Sequence, residues 1–283
     1  MAREVVVIPV HGMGDTDRDF DQALKREIRD ELSNAEWQKV HWQPIYYQPV
    51  LQDNQRRVFR DMRRAEELDG IRLRKFLLYS FSDAAGLEHH AASPGSPYEQ
   101  AQQIIFQALE DAFQSIGGQL KPVVLIAQSL GGQLMSNYIW DAQKAGGARY
   151  GVWKNGNPLG HARNTVPDRF HRLKTLRFFI TTGCNIPVFV AGFARNRILP
   201  VKHNSSGYSF QWFNYFDEDD VLGWPLQPLS PQYRAAVRDV PVNAGGNIWG
   251  HLFKSWNLFS HTQYWTDREV IEPVAGYIRS LIP

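Results

Sequence analysis

Val123-Val124-Leu125-Ile126-Ala127-Gln128-Ser129-Leu130-Gly131-Gly132-Gln133-Leu134-Met135 decides the fold of this chain. An apolar, β-branched run breaks at a polar residue, a serine and two glycines, and helical spacing then takes over across Gly131–Ala145. The pattern demands a very tight strand-to-helix turn, with the serine at its apex on strained backbone angles and its hydroxyl standing over the sheet edge. Small residues two before and two after the serine, Ala127 and Gly131, let neighbouring backbone pass closely. The helix N-terminus behind Ser129 aims free N–H groups and a positive dipole end at the same place. Without chemistry, the same residues would read as a plain Ser-Gly-Gly turn.

Outward from this turn, buried apolar strands alternate with helices. Val5–Val10, Val40–Tyr47, Lys75–Phe81, Pro122–Ala127, Leu176–Thr181, Phe210–Phe216 and Ala236–Val242 have strand character, and Pro44 marks an edge position. Lys25–Leu32, Val58–Leu68, Tyr98–Ile116 and Glu269–Leu281 have helical spacing. In Tyr98–Ile116, apolar residues at 101, 104, 105, 108, 109, 112 and 113 follow a period near 3.6. The class is α/β: a mostly parallel sheet of about six strands with helices on both faces, in which ligands bind beyond the carboxyl ends of the strands. At 283 residues the chain reads as one domain, 1–283, that hides roughly three quarters of its unfolded surface.

Composition narrows the function classes. With 31 Lys and Arg against 29 Asp and Glu, the net charge of +2 creates no global field for nucleic acid. A single cysteine, Cys184, excludes a disulfide framework and a Cys-rich zinc module, and it reads as a structural thiol. No run approaches the roughly 20 apolar residues that span a bilayer, and Val5–Ile8 reads as a strand instead of a secretory segment. The expected location is therefore the cytoplasm. His89-His90 is a poor metal pair because adjacent residues seldom face one ion, and neither metal nor cofactor is expected. Residues 55–75 carry seven Arg and one Lys against four acids. This is a solvated helix face by default, with a membrane-surface dock as the sharper alternative. Oligomeric state is not legible.

The segment around Ser129 resembles the G-x-S-x-G nucleophile elbow of the α/β-hydrolase superfamily, with Ala127 in place of the first glycine and Gln128, Leu130 and Gly131 completing it. Ile8-Pro9-Val10-His11-Gly12-Met13-Gly14-Asp15 resembles the H-G-x-G loop of the same superfamily. The resemblance covers Val5 to Ile282 and implies a trimmed version of the fold that lacks the first two strands. It implies a serine esterase or lipase-like hydrolase in which Gly12 shapes an oxyanion hole made by the N–H groups of Met13 and Leu130. His11 would brace the loop. It also implies the chain order Ser, Asp, His. The acid then comes from Asp217-Glu218-Asp219-Asp220-Val221, where the Asp-x-Val register favours Asp219 over Asp217 and Asp220. The base is His261, ahead of the last helix, with His251 as the runner-up. Ser129, Asp219 and His261 would form an acyl-serine and pass it to water.

Inserted segments bear on the substrate, expected to be a small-molecule ester. Residues 184–209 read either as a small lid over Ser129 or as a loop packed on the domain. Trp212, Trp224, Trp249, Phe253, Trp256, Tyr264 and Trp265 fall near the acid and base segments, and a dry aromatic pocket there would suit an acyl chain or an aryl ester. The competing functions are a lipase, phospholipase or thioesterase acting on lipid-like acyl groups, an acyltransferase, and a non-catalytic binding protein of the same fold.

Overall fold

The computed structural model describes residues 2–14, 16–65, 75, 78, 82, 93–144, 147–201, 209–243 and 263–283. Six strands form one sheet: β1 (Val5–Val10), β2 (Val40–Trp42), β3 (Val123–Gln128), β4 (Leu176–Thr182), β5 (Gln211–Asp217) and β6 (Val237–Val242). They lie in the order β2-β1-β3-β4-β5-β6, and all five pairings are parallel. The helices are α1 (Gln22–Glu31), α2 (Asn34–Trp37), α3 (Pro49–Ala65), α4 (Pro97–Ser115), α5 (Leu130–Gln143), α6 (Val166–His171), α7 (Ile186–Val190), α8 (Pro231–Ala236) and α9 (Arg268–Arg279).

Strand residues serve two cores in alternation. Val6, Ile8, Val10 and Leu125 face Ile105 and Leu109 of α4 and Leu134 and Tyr138 of α5. Val5, Val7, Val124 and Ile126 face Leu24 and Ile28 of α1 and Val270, Val274 and Ile278 of α9. Burial on both faces is why these strands read as unbroken apolar runs. Local signals set the helix starts: α4 opens with Ser96 accepting the Glu99 N–H and Pro97 in the first turn.

Two strand expectations are corrected. Lys75 and Leu78 are helical, so Lys75–Phe81 does not form a strand there; a short apolar run cannot be told from a buried helical turn by periodicity. β2 ends at Trp42, before Pro44, and only a lone bridge from Ile45 to Val10 continues it. It forms the sheet edge, as Pro44 suggested. Among the described residues no helix is long and apolar enough to cross a membrane. Arg56, Arg57, Arg60, Arg63 and Arg64 are exposed on α3.

The strand order places the site. The chain runs from β1 outward to β2, then returns past β1 to begin β3 and continues in the opposite direction. The reversal falls between β1 and β3, so the loops that leave their carboxyl ends flank the crevice where open α/β sheets bind ligands. Those loops begin at His11 and Ser129.

Candidate active site

Ser129 stands between β3 and α5 at φ 50°, ψ −122°. A non-glycine residue rarely adopts such angles, which cost about 1–3 kcal/mol and persist only when the surroundings enforce them. Here they do. The Ser129 N–H donates to the Thr182 carbonyl at 2.9 Å, and its own carbonyl accepts the Gly132 N–H at 3.0 Å. The residue is 1% exposed, and its Oγ has no hydrogen-bond partner among the described residues. The hydroxyl is thus held at the N-terminus of a 14-residue helix with its bonding capacity unused by any described residue.

The glycines around it are matters of space. A Cβ on Gly12 would lie 2.9 Å from Ser129 Cβ. A Cβ on Gly131 would run into the His11 carbonyl oxygen and lie 3.0 Å from the Val10 carbonyl oxygen. The β1 loop and the start of α5 therefore touch backbone to backbone. Ala127 is fully buried in β3, between Val10 of β1 and Thr181 of β4, and Gln128 ends the strand half-buried. The N–H groups of Met13 and Leu130, on either side of Ser129, donate to no backbone acceptor among the described residues. They are the pair the resemblance implies for an oxyanion.

His11 is a brace. The Tyr47 N–H donates to its Nε2 at 3.1 Å, so the proton sits on Nδ1, which donates to the Gly12 carbonyl at 2.7 Å. The imidazole stacks on the Tyr47 ring at 4.0 Å, and the Tyr47 hydroxyl reaches the carbonyls of His11 and Gly12 at 3.1 and 3.0 Å. Burial lowers the His11 pKa to about 4, so it stays neutral. With both nitrogens engaged it cannot take a proton from Ser129. Tyr47 carries no motif, and its part follows from the parallel bridge that brings Ile45 beside Val10.

The acidic loop sorts its carboxylates by burial. Asp217 ends β5 and is buried, Glu218 and Asp219 are exposed, and Asp220 is buried again. Asp217 Oδ1 accepts the Asp219 N–H at 2.8 Å. Asp220 Oδ1 accepts the Leu222 N–H at 2.9 Å, and its Oδ2 accepts the Tyr264 hydroxyl at 2.9 Å. That hydroxyl accepts the Asp217 N–H in turn, also at 2.9 Å. Burial and the neighbouring Asp220 charge push the Tyr264 phenol well above its ordinary pKa, so it remains a donor. Trp265 Nε1 donates to Thr182 Oγ1 at 3.2 Å. Residues 264 and 265 are thereby fastened to the ends of β5 and β4. His261 and His251 lie outside the described residues, as do His89-His90, Trp249, Phe253 and Trp256.

Two further expectations meet the structure. Trp212 is core, packed on Phe179 and Tyr233 with its Nε1 on Thr181, and does not wall a pocket; Trp224 is exposed. Cys184 is fully buried, its Sγ 2.9 Å from where a Gly132 Cβ would stand. Burial raises its thiol to about 12, which removes it as a nucleophile. The segment from 184 carries α7 and a short 3-10 turn at Arg195–Arg197. Beside α5 it bounds a groove of about 450 Å³ that reaches from Gln133 and Ile186 past Phe189 to Trp140.

No protein-family model matches the chain, and no curated protein matches it. Among solved structures it is similar to esterase PE8, at 13% identity and a TM-score of 0.43 over 99% of this chain and 94% of that one. It is similar to an acetyl xylan esterase at 12% identity and a TM-score of 0.43 over the whole of both chains. It is also similar to an inhibited esterase B from Lactobacillus rhamnosis, at 14% identity and a TM-score of 0.46 over 99% of this chain and 77% of that one.

Proposed function

We propose that the chain is a serine hydrolase that cleaves small carboxylic esters through an acyl-serine. The observation that carries this reading is Ser129: a strained, buried hydroxyl at a helix N-terminus, without a partner among the described residues and between two N–H groups that meet no backbone acceptor there. A structural serine would use its hydroxyl, and a structural turn would place glycine at such angles. In the proposed reaction Ser129 Oγ attacks the ester carbonyl carbon while His261 takes its proton. The carbonyl oxygen, now negative, is held by the N–H groups of Met13 and Leu130. The bond to the leaving alcohol breaks as His261 returns the proton to it. Water, activated by the same histidine, then releases the acid and restores Ser129.

The acid that orients His261 comes from Asp217, Asp219 or Asp220. The Asp-x-Val register favours Asp219, but a triad carboxylate works by holding its charge in a water-poor place. We therefore assign the role to Asp220, which is 4% exposed and anchored by Tyr264, three residues along the chain from His261. Labelling with a fluorophosphonate tests the whole reading. Stoichiometric label on the native chain and none on Ser129→Ala is expected; no label, or equal label on both, would leave a non-catalytic binding protein of this fold.

A second reading, hydrolysis of lipid-like acyl esters or thioesters beneath a lid at 184–209, is favoured by one observation. Trp140, Val188, Phe193 and Leu199 are exposed apolar residues in or beside the groove along α5. A p-nitrophenyl ester series from short to long acyl chains separates the two, since a small-ester enzyme loses kcat/KM as the chain grows.

A further inference from the structure

Two more orphan polar atoms stand at the same sheet edge. Gln48 Nε2 and Asn185 Oδ1 are buried without a hydrogen-bond partner among the described residues, and each residue is 2% exposed. Such groups are costly and call for an explanation. Local structure supplies none. Asn185 occupies the N-cap of α7 without using its side chain to cap it, and Gln48, just ahead of Pro49 and α3, leaves its amide donor idle.

Their placement is regular. β2, β1, β3 and β4 are neighbours in that order, and beyond their carboxyl ends come Gln48, Met13, Ser129 and Asn185. The bridge from Ile45 to Val10 and the stacking of Tyr47 on His11 bring this segment to the β1 loop, which puts Gln48, next in the chain, on the β1 side of the nucleophile. Thr182 receives the Ser129 N–H, and Cys184 lies against Gly132, which puts Asn185 on the opposite side.

An idle amide donor requires an oxygen, and an idle amide carbonyl requires an O–H or N–H. The hydrocarbon flanks of a simple ester supply neither and would leave both groups unsatisfied after excluding water. A hydroxyl serves either, because it both donates and accepts. We propose that Gln48 and Asn185 contact the substrate and select esters of polyols, with hydroxyl groups on both flanks of the scissile carbonyl. This rests on the reading of Ser129 as an ester-cleaving nucleophile.

Glyceryl glycerate and propyl propionate share one carbon skeleton and differ only in hydroxyls, two on each flank of the carbonyl, so acid release from the pair tests the proposal in Gln48→Met and Asn185→Leu. The ratio of kcat/KM for glyceryl glycerate over propyl propionate is expected to fall about 10- to 100-fold in each variant. The midpoint of thermal unfolding is expected to rise by about 2–4 °C, since each change removes an unsatisfied buried group from the free enzyme. A purely structural role predicts the opposite: a lower midpoint and equal losses on both esters. That result, or an unchanged ratio, overturns the proposal while leaving ester hydrolysis standing. If neither ester is cleaved and Ser129 takes no fluorophosphonate, the hydrolase reading fails. Polyol recognition is then judged by the thermal upshift that glyceryl glycerate gives Ser129→Ala. An upshift lost on adding Gln48→Met upholds it, and no upshift overturns it.

Discussion

Replacing Gly131 by alanine isolates the backbone contact on which the site is built. Gly131 lies in the first turn of α5 without a positive φ, so alanine suits its conformation and improves helix propensity by about 1 kcal/mol. Against that, the new methyl would collide with the His11 carbonyl oxygen and press on that of Val10. Neither is a side-chain end that can swing away; both belong to the last residues of β1 and its loop. Overpacking of this kind costs about 1–3 kcal/mol. Moving the His11 carbonyl also loosens its bond from the Tyr47 hydroxyl, worth about 1 kcal/mol. The net loss is about 1–3 kcal/mol, read from the urea midpoint at unchanged slope. Displacement of the loop moves the Met13 N–H, and loss of one oxyanion donor lowers kcat by about 100- to 1000-fold. Gly276→Ala is the matched control: its Cβ meets nothing within 4 Å in α9, so it should stabilise by about 0.5–1 kcal/mol and leave ester cleavage intact. Wild-type stability and kcat in Gly131→Ala would refute the argument that this close approach shapes the site.

Other outcomes follow from the same geometry. Ser129→Gly and Ser129→Ala should both abolish fluorophosphonate labelling, yet the glycine variant should be the more stable by about 1 kcal/mol in denaturant titration, because only glycine relieves the strain at φ 50°. His11 is held neutral with its pKa lowered to about 4, so the unfolded chain binds a proton that the folded chain refuses. Its contribution is complete above pH about 6.5 and is lost as pH falls toward 4, amounting to about 3 kcal/mol. His11→Gln should flatten the stability profile across that window. Among asparagine substitutions, Asp220→Asn should lower kcat by about 10⁴-fold and Asp219→Asn by only a few-fold; the reverse order returns the triad acid to Asp219.

The turn at Ser129 was legible because steric need and residue type coincide there: only small neighbours admit the crossing of β1 and α5, and Ala127, Gly12 and Gly131 announce it. The strands on both sides were legible through burial on two faces. Lys75–Phe81 was not, since Phe76-Leu77-Leu78-Tyr79 suits a buried strand or a buried helical turn equally well. Within the acidic loop, the order of residues carries no sign of which carboxylates turn inward. That depends on the Tyr264 hydroxyl, 44 residues past Asp220. Tyr47, Gln48 and Asn185 escaped notice for a related reason: their meaning arises from strand register across the sheet, and register has no local signature.

The solitary thiol behind the elbow has a practical consequence. Cys184 is fully enclosed against Gly132, and the chain has no other cysteine. Alkylation of the folded protein must therefore wait for the segment after β4 to part from α5. At low denaturant, the modification rate relative to that of the unfolded chain gives the free energy of this opening, and the full denaturant series separates local breathing from global unfolding. A ligand seated over Ser129 should slow the reaction without touching the sulfur. The protein thus carries its own stopwatch for the rigidity of its nucleophile, readable by mass alone and independent of any turnover assay.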